Sequence, residues 1–278
     1  MAGQAVGAPL IGLTTTNQLH TFDSATPGNG STAVNITGLG VNEQILGIDL
    51  RPANQTVYGL GSLGRLYTIN PGTGAATLVG ALAADPADGT NPFTALSGTS
   101  FGVDFNPAVD RLRITTNSGQ NLRINAANGL TTTDAALNPG APSIVGSAYD
   151  NNDTDPGTGT TLYDIDSATD SLYTQNPPND GTLVFVGALG VDTNGVVGFE
   201  IQNVNTAFAS LTNDLNGKSS LYSINLANGA ASLIGAFGIG GNPAIAPPLL
   251  DITSAPIPEP ATAVLMLSGL FGMALRRR

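Results

Sequence analysis

Phe101–Asn125 reads FGVDFNPAVDRLRITTNSGQNLRIN. Apolar residues alternate in three short runs, broken at Asn106-Pro107-Ala108 and at Asn117-Ser118-Gly119. That is strand–turn–strand–turn–strand chemistry. The pattern recurs: apolar-Gly-x-acid-apolar, a turn, a strand, a turn, a Leu-Tyr-Thr-Ile-Asn-like strand, a Gly-rich turn, then Thr-Leu-Val-Gly. Unit one is Leu46–Leu82, unit two Phe101–Leu137, unit three Val145–Leu189 and unit four Val197–Phe237. The marker glycines Gly47, Gly102, Gly146 and Gly198 are 55, 44 and 52 residues apart. Four short strands at such a period are the signature of a β-propeller blade. Asn70-Pro-Gly-Thr-Gly74, Ala127-Asn-Gly129 and Ala227-Asn-Gly229 supply hairpin turns.

The two ends of the repeat are complementary. Pro9–Gly40 matches the last three strands of a unit and lacks the first; Ala244–Ser254, AIAPPLLDITS, offers the missing inner strand. A blade shared between the termini closes the ring and removes exposed edges. The expected fold is an all-β, five-bladed propeller over residues 9–254, with residues 1–8 as an N-terminal remnant. Six blades is the runner-up, if Ala83–Thr99 holds further strands, and a two-sheet sandwich is the third alternative.

Composition agrees. In 278 residues there are 36 Gly and 18 Pro, no Trp, and 5% aromatics, so the core is aliphatic. Formal charge is −11. Cutting before Ile257 removes Glu259 and three Arg, leaving 19 acids against 6 bases. Such a body repels phosphate backbones, which excludes nucleic acid as a partner, and it favours divalent cations. With no cysteine, thiol catalysis, disulfides and Cys-ligated metals are excluded.

The stretches Gly102–Asn125 and GRLYTINPGTGAATLVG, Gly64–Gly80, resemble an uncharacterised family of secreted bacterial propeller-like domains. The resemblance covers most of Pro9–Ile252. It implies the fold and brings no catalytic residues.

The C-terminus resembles a PEP-CTERM sorting signal. Residues 255–260 form a Pro-rich linker with Pro258-Glu259-Pro260, and 261–278 hold an apolar run, Ala261–Leu275, followed by Arg276, Arg277 and Arg278. As a helix the run is roughly 22 Å long. That is short for a hydrocarbon core of about 30 Å, and suits a transient anchor through 261–275. The arginines should stay cytoplasmic. A buried C-terminal helix is the alternative, but it would be amphipathic and would not follow a Pro-x-Pro-x-Pro spacer. The resemblance implies an exosortase-type processing enzyme as a partner. It also implies export to the periplasm, outer surface or extracellular matrix of a Gram-negative bacterium after inner-membrane anchoring. Met1-Ala-Gly-Gln-Ala-Val-Gly lacks the basic and apolar regions of a secretory signal peptide. A signal upstream of this start, or one already removed, is therefore expected.

Four groups of residues are candidates for chemistry. Asp49, Asp104 and Glu200 share the position two after the marker glycine, where unit three has Ala148. First strands line a propeller's channel, so these acids should converge on the axis. There they could bind a cation or raise one another's pKa. Alternatively, each caps a backbone N–H of the next blade or pairs with Arg. Arg111, Arg113 and Arg123 cluster in unit two, with Arg113 and Arg123 roughly opposite across a hairpin. Facing like charges call for an anion between them, either Asp104 or Asp110 or a ligand carboxylate or phosphate. Together Asp49, Asp104, Glu200, Arg113 and Arg123 are expected around one mouth of the channel. Asp150, Asn152, Asp153 and Asp155 form an oxygen-rich loop open to weak Ca²⁺ binding, though it lacks the EF-hand spacing; a solvated turn is the other reading. His20, the only histidine, aligns with Tyr67, Tyr173 and Tyr222 in a third strand and reads as structural.

The resemblance of the tail implies a cell-surface or matrix role linked to exopolysaccharide and biofilm systems, and the functional expectation is a module there that binds a glycan or protein partner. The alternative is an extracellular glycan-active hydrolase or lyase using propeller carboxylates. The absence of Trp, and hence of the usual aromatic sugar platforms, favours the binding module.

Overall fold

The computed structural model describes residues 7–155, 157–213 and 215–257. The described residues fold as five sheets, antiparallel except for one short strand at an outer edge. Blade 1 begins with β1 (Pro9–Thr14), β2 (Gln18–Asp23) and β3 (Val34–Asn35). Blade 2 is β4 (Ile45–Arg51), β5 (Thr56–Gly61), β6 (Arg65–Ile69) and β7 (Ala76–Ala81). The short β8 (Ala83–Ala84) precedes blade 3, which is β9 (Phe101–Asn106), β10 (Arg111–Thr116), β11 (Asn121–Ile124) and β12 (Leu130–Thr133). Blade 4 is β13 (Ile144–Tyr149), β14 (Leu162–Asp166), β15 (Ser171–Gln175) and β16 (Leu183–Ala188). Blade 5 is β17 (Val197–Asn203), β18 (Thr206–Thr212), β19 (Ser219–Ile224) and β20 (Ala231–Ala236). The last strand, β21 (Leu249–Ser254), returns to blade 1 and pairs antiparallel with β1, Leu10 opposite Ser254 and Ile11 opposite Thr253. Blade 1 therefore reads β21-β1-β2-β3, with its inner strand taken from the far end of the chain.

Five blades are present, not six. Of the Ala83–Thr99 segment only Ala83–Ala84 is a strand; it adds in parallel to the outer edge of blade 3. The inner strands pack in the order β4, β9, β13, β17, β21 and back to β4. No helix among the described residues is long and apolar enough to cross a membrane. The expected sorting segment, including Pro258, Glu259, Pro260 and Arg276–Arg278, lies outside the described residues.

The repeat glycines have a steric cause. A Cβ on Gly102 would lie 2.5 Å from Ser147 Oγ and 2.6 Å from its backbone nitrogen, and one on Gly198 would lie 2.4 Å from Ile252 N. Neighbouring inner strands approach too closely at this level for any side chain. The outer turns have a cause too. Asn70, Asn125 and Asn225 each accept from the backbone N–H two residues on. Each turn closes through a glycine N–H, from Gly74, Gly129 and Gly229, to the same asparagine's carbonyl.

The blade interfaces differ in chemistry. Apolar clusters fill four of them. Ile11, Leu13 and Leu19 meet Ile45 and Ile48; Tyr58, Leu60 and Leu66 meet Phe105 and Ile114. Val145 and Ile165 meet Phe199 and Ile201, and Phe208 and Leu221 meet Leu10 and Phe22. The seam between blades 3 and 4 has only the small cluster of Leu137, Ile144 and Leu183. The rest of that seam is polar. His20 is 1% exposed, stacks on Phe22, and has no hydrogen-bond partner on either ring nitrogen. Burial pushes its pKa down to about 4, which suits a neutral packing role.

Candidate functional site

The repeat-position acids do converge. Asp49, Asp104 and Glu200 each bring a carboxylate oxygen to within 4.8 Å of the others, and all are buried. Each is also tied to a neighbouring inner strand. Asp49 Oδ2 accepts from Phe105 N at 2.7 Å, Asp104 Oδ1 from Tyr149 N at 2.9 Å, and Glu200 Oε1 from Ser254 Oγ at 2.7 Å. Blade 1 contributes Thr253 in the same role: its Oγ accepts from Leu50 N and donates to Asp49. A fourth acid, Asp251, was not expected. It stands one pleat away, at the level of the marker glycines, and its Oδ2 accepts from Ile48 N at 2.8 Å. Gly47 makes room for it, since a Cβ there would lie 2.9 Å from that oxygen.

No basic side chain offsets these charges; all four salt bridges among the described residues lie elsewhere. Burial pushes the Asp49, Asp104 and Asp251 carboxyls well above the usual range, and neighbouring acids push them further. Burial raises Glu200 to about 7. Several uncompensated carboxylates at such spacing take up protons. A calcium ion takes six to eight oxygens. The cage converges three carboxyls, and those of Asp49 already accept from Leu50 N, Phe105 N and Thr253. The acids thus act first as inter-blade caps.

The arginines form a separate site. Arg113 stands opposite Asp104 on one side and Arg123 on the other. Asp104 and Arg113 both face blade 4, yet no bond joins them, which corrects the expectation of one shared site. Tyr149 lies between, giving its backbone N–H to Asp104 and accepting from Arg113 Nε through its hydroxyl. Arg113 then turns outward. Its Nη1 donates to Asn121 Oδ1 at 2.8 Å and Asp134 Oδ2 at 2.6 Å, and its Nη2 to Asn179 Oδ1 at 2.8 Å. Arg123 grips the same Asp134 with Nε and Nη2, at 2.7 and 2.8 Å. The anion between the arginines is therefore Asp134, not Asp104. Asp110, the other expected partner, pairs with Arg51.

Register shows how the polar seam arose. Arg113 takes the place of Tyr58, Tyr163 and Phe208 in blades 2, 4 and 5 and of Ile11 in blade 1, and Arg123 that of Thr68, Thr174, Ser223 and Thr21. Counting from the turn asparagine, Asp134 stands where unit one has Val79 and unit four Ile234. Three departures from the repeat meet in space. Asp134 carried this signal in the sequence; Asn179, from the blade 4 loop, carried none.

A cleft of about 440 Å³ opens over this seam. Arg111, Arg113, Arg123, Tyr149, Asn106 and Asn179 line it, with Val109 and Pro178 as its apolar walls. A second cavity of about 300 Å³ lies where Leu50, Asn152, Gln202 and Ser254 meet at the ends of the inner strands, and Ala255 and Ile257 line it too. The two share no residue. Asn152 belongs to this mouth, donating to Ile201 O at 2.8 Å and Glu200 Oε1 at 3.4 Å. Its expected partners do not join it. Asp150 accepts from Thr161 N, Asp153 from Asp155 N, and Asp155 from Gly157 N. Those oxygens shape turns, and Asp150, Asp153 and Asp155 form no metal-type cluster among the described residues.

No curated protein matches the chain. Among solved structures, a protein of unknown function from Bacteroides thetaiotaomicron aligns at 14% identity and TM-score 0.48, over 85% of this chain and 64% of its own length. YCF48 bound to D1 peptide aligns at 8% identity and TM-score 0.41, over 84% of this chain and 82% of that one. BamB from Moraxella catarrhalis aligns at 16% and 0.30, over 82% and 70%. At such identities no site residue transfers. Residues 18–246 match the family described as Domain of unknown function (DUF4394), and the chain belongs to that family.

Proposed function

We propose that this chain is a binding module of the extracytoplasmic space, and that its glycan or protein partner docks in the cleft of Arg111, Arg113 and Arg123. The observation that carries this reading is the seam itself. Four interfaces are closed by apolar packing, while the fifth has a buried arginine where the other blades have Tyr, Phe or Ile, and leaves an open polar cleft above it. Structure alone gains little from that exchange, because a buried ion pair is at best near neutral against apolar packing. The axial carboxyls do not support the hydrolase or lyase reading. Asp49, Asp104 and Glu200 are at most 5% exposed and bonded to neighbouring strands, so no substrate bond reaches between them.

Export rests on the resemblance of the Pro258-Glu259-Pro260 linker, the apolar run 261–275 and the terminal arginines to a sorting signal. An exosortase-type enzyme would process this segment and release the propeller to the surface or matrix.

Two experiments test the reading. Purified protein is screened against neutral and anionic polysaccharides and against surface proteins of the same envelope, with R123Q as control. Binding that R123Q does not weaken refutes the cleft. Fractionation of cells expressing the gene with its full upstream region, with and without residues 258–278, tests the address. Accumulation of the intact protein in the cytoplasm refutes it.

A further inference from the structure

We infer that the cleft over the blade 3–blade 4 seam recognises the carboxylate of an acidic sugar, so that the partner is a uronate-bearing glycan; the inference rests on the binding-module reading above. Charge comes first. Three guanidinium groups line the cleft, and one carboxylate, Asp134, contacts two of them. Arg111 at the rim has no ion-pair partner among the described residues; its single bond is from Nη1 to the Asp110 carbonyl. The cleft is therefore positive on a protein whose net charge is −11. Concentrated positive charge beside low-dielectric walls draws anions.

The donors also have a definite geometry. Arg113 is held rigid at 2% exposure by four partners. Arg123 uses Nε and Nη2 on Asp134 and keeps Nη1 free, with about a third of its side chain exposed. Tyr149, 1% exposed, accepts from Arg113 Nε and helps to fix its position. Asn179 and Asn106 accept through Oδ1 and keep their amide N–H groups. Planar guanidinium forks match a carboxylate in two-point contact.

The amide donors suit sugar hydroxyls. The walls of Val109 and Pro178 suit the C–H face of a pyranose. The volume of about 440 Å³ falls in the range of small-ligand pockets and fits a short oligosaccharide. A bare phosphate would leave the amides and the apolar walls without contacts.

The test uses tri-galacturonic acid as the acidic ligand, maltotriose as the neutral control and inorganic phosphate as the competing anion, by calorimetry on the folded protein. The trimer should bind, more weakly as salt rises. Loss of one charge-assisted contact should weaken it by about tenfold or more. R111Q provides that loss without touching the buried network, and an unchanged melting temperature confirms its fold. Equal affinity for trimer and maltotriose, or trimer binding indifferent to R111Q, overturns the carboxylate inference. Phosphate binding without trimer binding overturns it too. In each of those cases an R123Q-sensitive partner would leave the binding-module reading standing. If neither the trimer nor any polysaccharide or surface protein binds, both readings fall.

Discussion

The buried carboxyls make stability depend on pH in an unusual direction, and Asp164 is the cleanest place to measure it. It is fully buried in the polar seam, where Oδ1 accepts from Ser147 Oγ at 2.5 Å and Oδ2 has no partner. Burial pushes its pKa from 3.8 up to about 7, against smaller lowering effects of Ser147 and Arg113. A carboxyl whose folded pKa exceeds its unfolded value binds more protons when folded. Its stabilisation is complete below pH 3.8 and is lost as pH rises to about 7. At a pH above both values the loss is roughly 4 kcal/mol, and about 2 kcal/mol of it falls between pH 5.5 and 8.5.

Glu200, raised from 4.5 to about 7 by burial, adds a similar slope, and Asp49, Asp104 and Asp251 add theirs in the same direction. Wild-type protein should therefore be several kcal/mol less stable at pH 8.5 than at pH 5.5. D164N cannot ionise and should recover about 2 kcal/mol of that difference. Urea unfolding of both proteins at both pH values measures it. The readout is the change with pH, so a constant cost from the amide's unpaired N–H does not enter. Growing net negative charge also weakens the fold at high pH, but it acts on both proteins. Parallel pH dependence in wild type and D164N, or wild type more stable at pH 8.5, would show that Asp164 is not held protonated by burial.

Three further outcomes are expected. D134A leaves the Arg113 guanidinium, 2% exposed, without its counter-charge, and should cost about 3 kcal/mol or more by thermal or urea unfolding; a loss under 1 kcal/mol would show that water reaches the seam. Deleting residues 249–254 removes the inner strand of blade 1, with Leu249 and Ile252 at most 1% exposed, and should abolish the single cooperative melt seen by circular dichroism; an unchanged melting temperature would contradict closure by β21. D104N keeps an oxygen for the Tyr149 N–H while removing one of three convergent carboxyls whose burial disfavours ionisation, so it should stabilise the protein at pH 8, and millimolar Ca²⁺ should leave the melting temperature of either protein unmoved. A Ca²⁺-dependent rise that D104N erases would show instead that the cage holds a cation.

Much of the molecule was legible in the chain because a repeat reports its own geometry. Marker glycines recur where inner strands nearly touch, and turn asparagines recur where a side chain must cap the outer hairpin. Incomplete patterns at the two ends implied a shared blade. The common register of Asp49, Asp104 and Glu200 implied a meeting on the axis, since one repeat position means one depth. What registers do not encode is which way a long side chain turns. Asp104 and Arg113 are direct neighbours across two strands, yet the carboxyl turns to the axis and the guanidinium away from it. That choice was made by Tyr149, Asn179 and Asp134, brought in from a neighbouring blade, its loop and the far end of blade 3. Periodicity fixes the backbone because backbone spacing is uniform along a strand. The seam between blades 3 and 4 depends on partners distant in sequence, and only packing the five sheets into a ring brings them together.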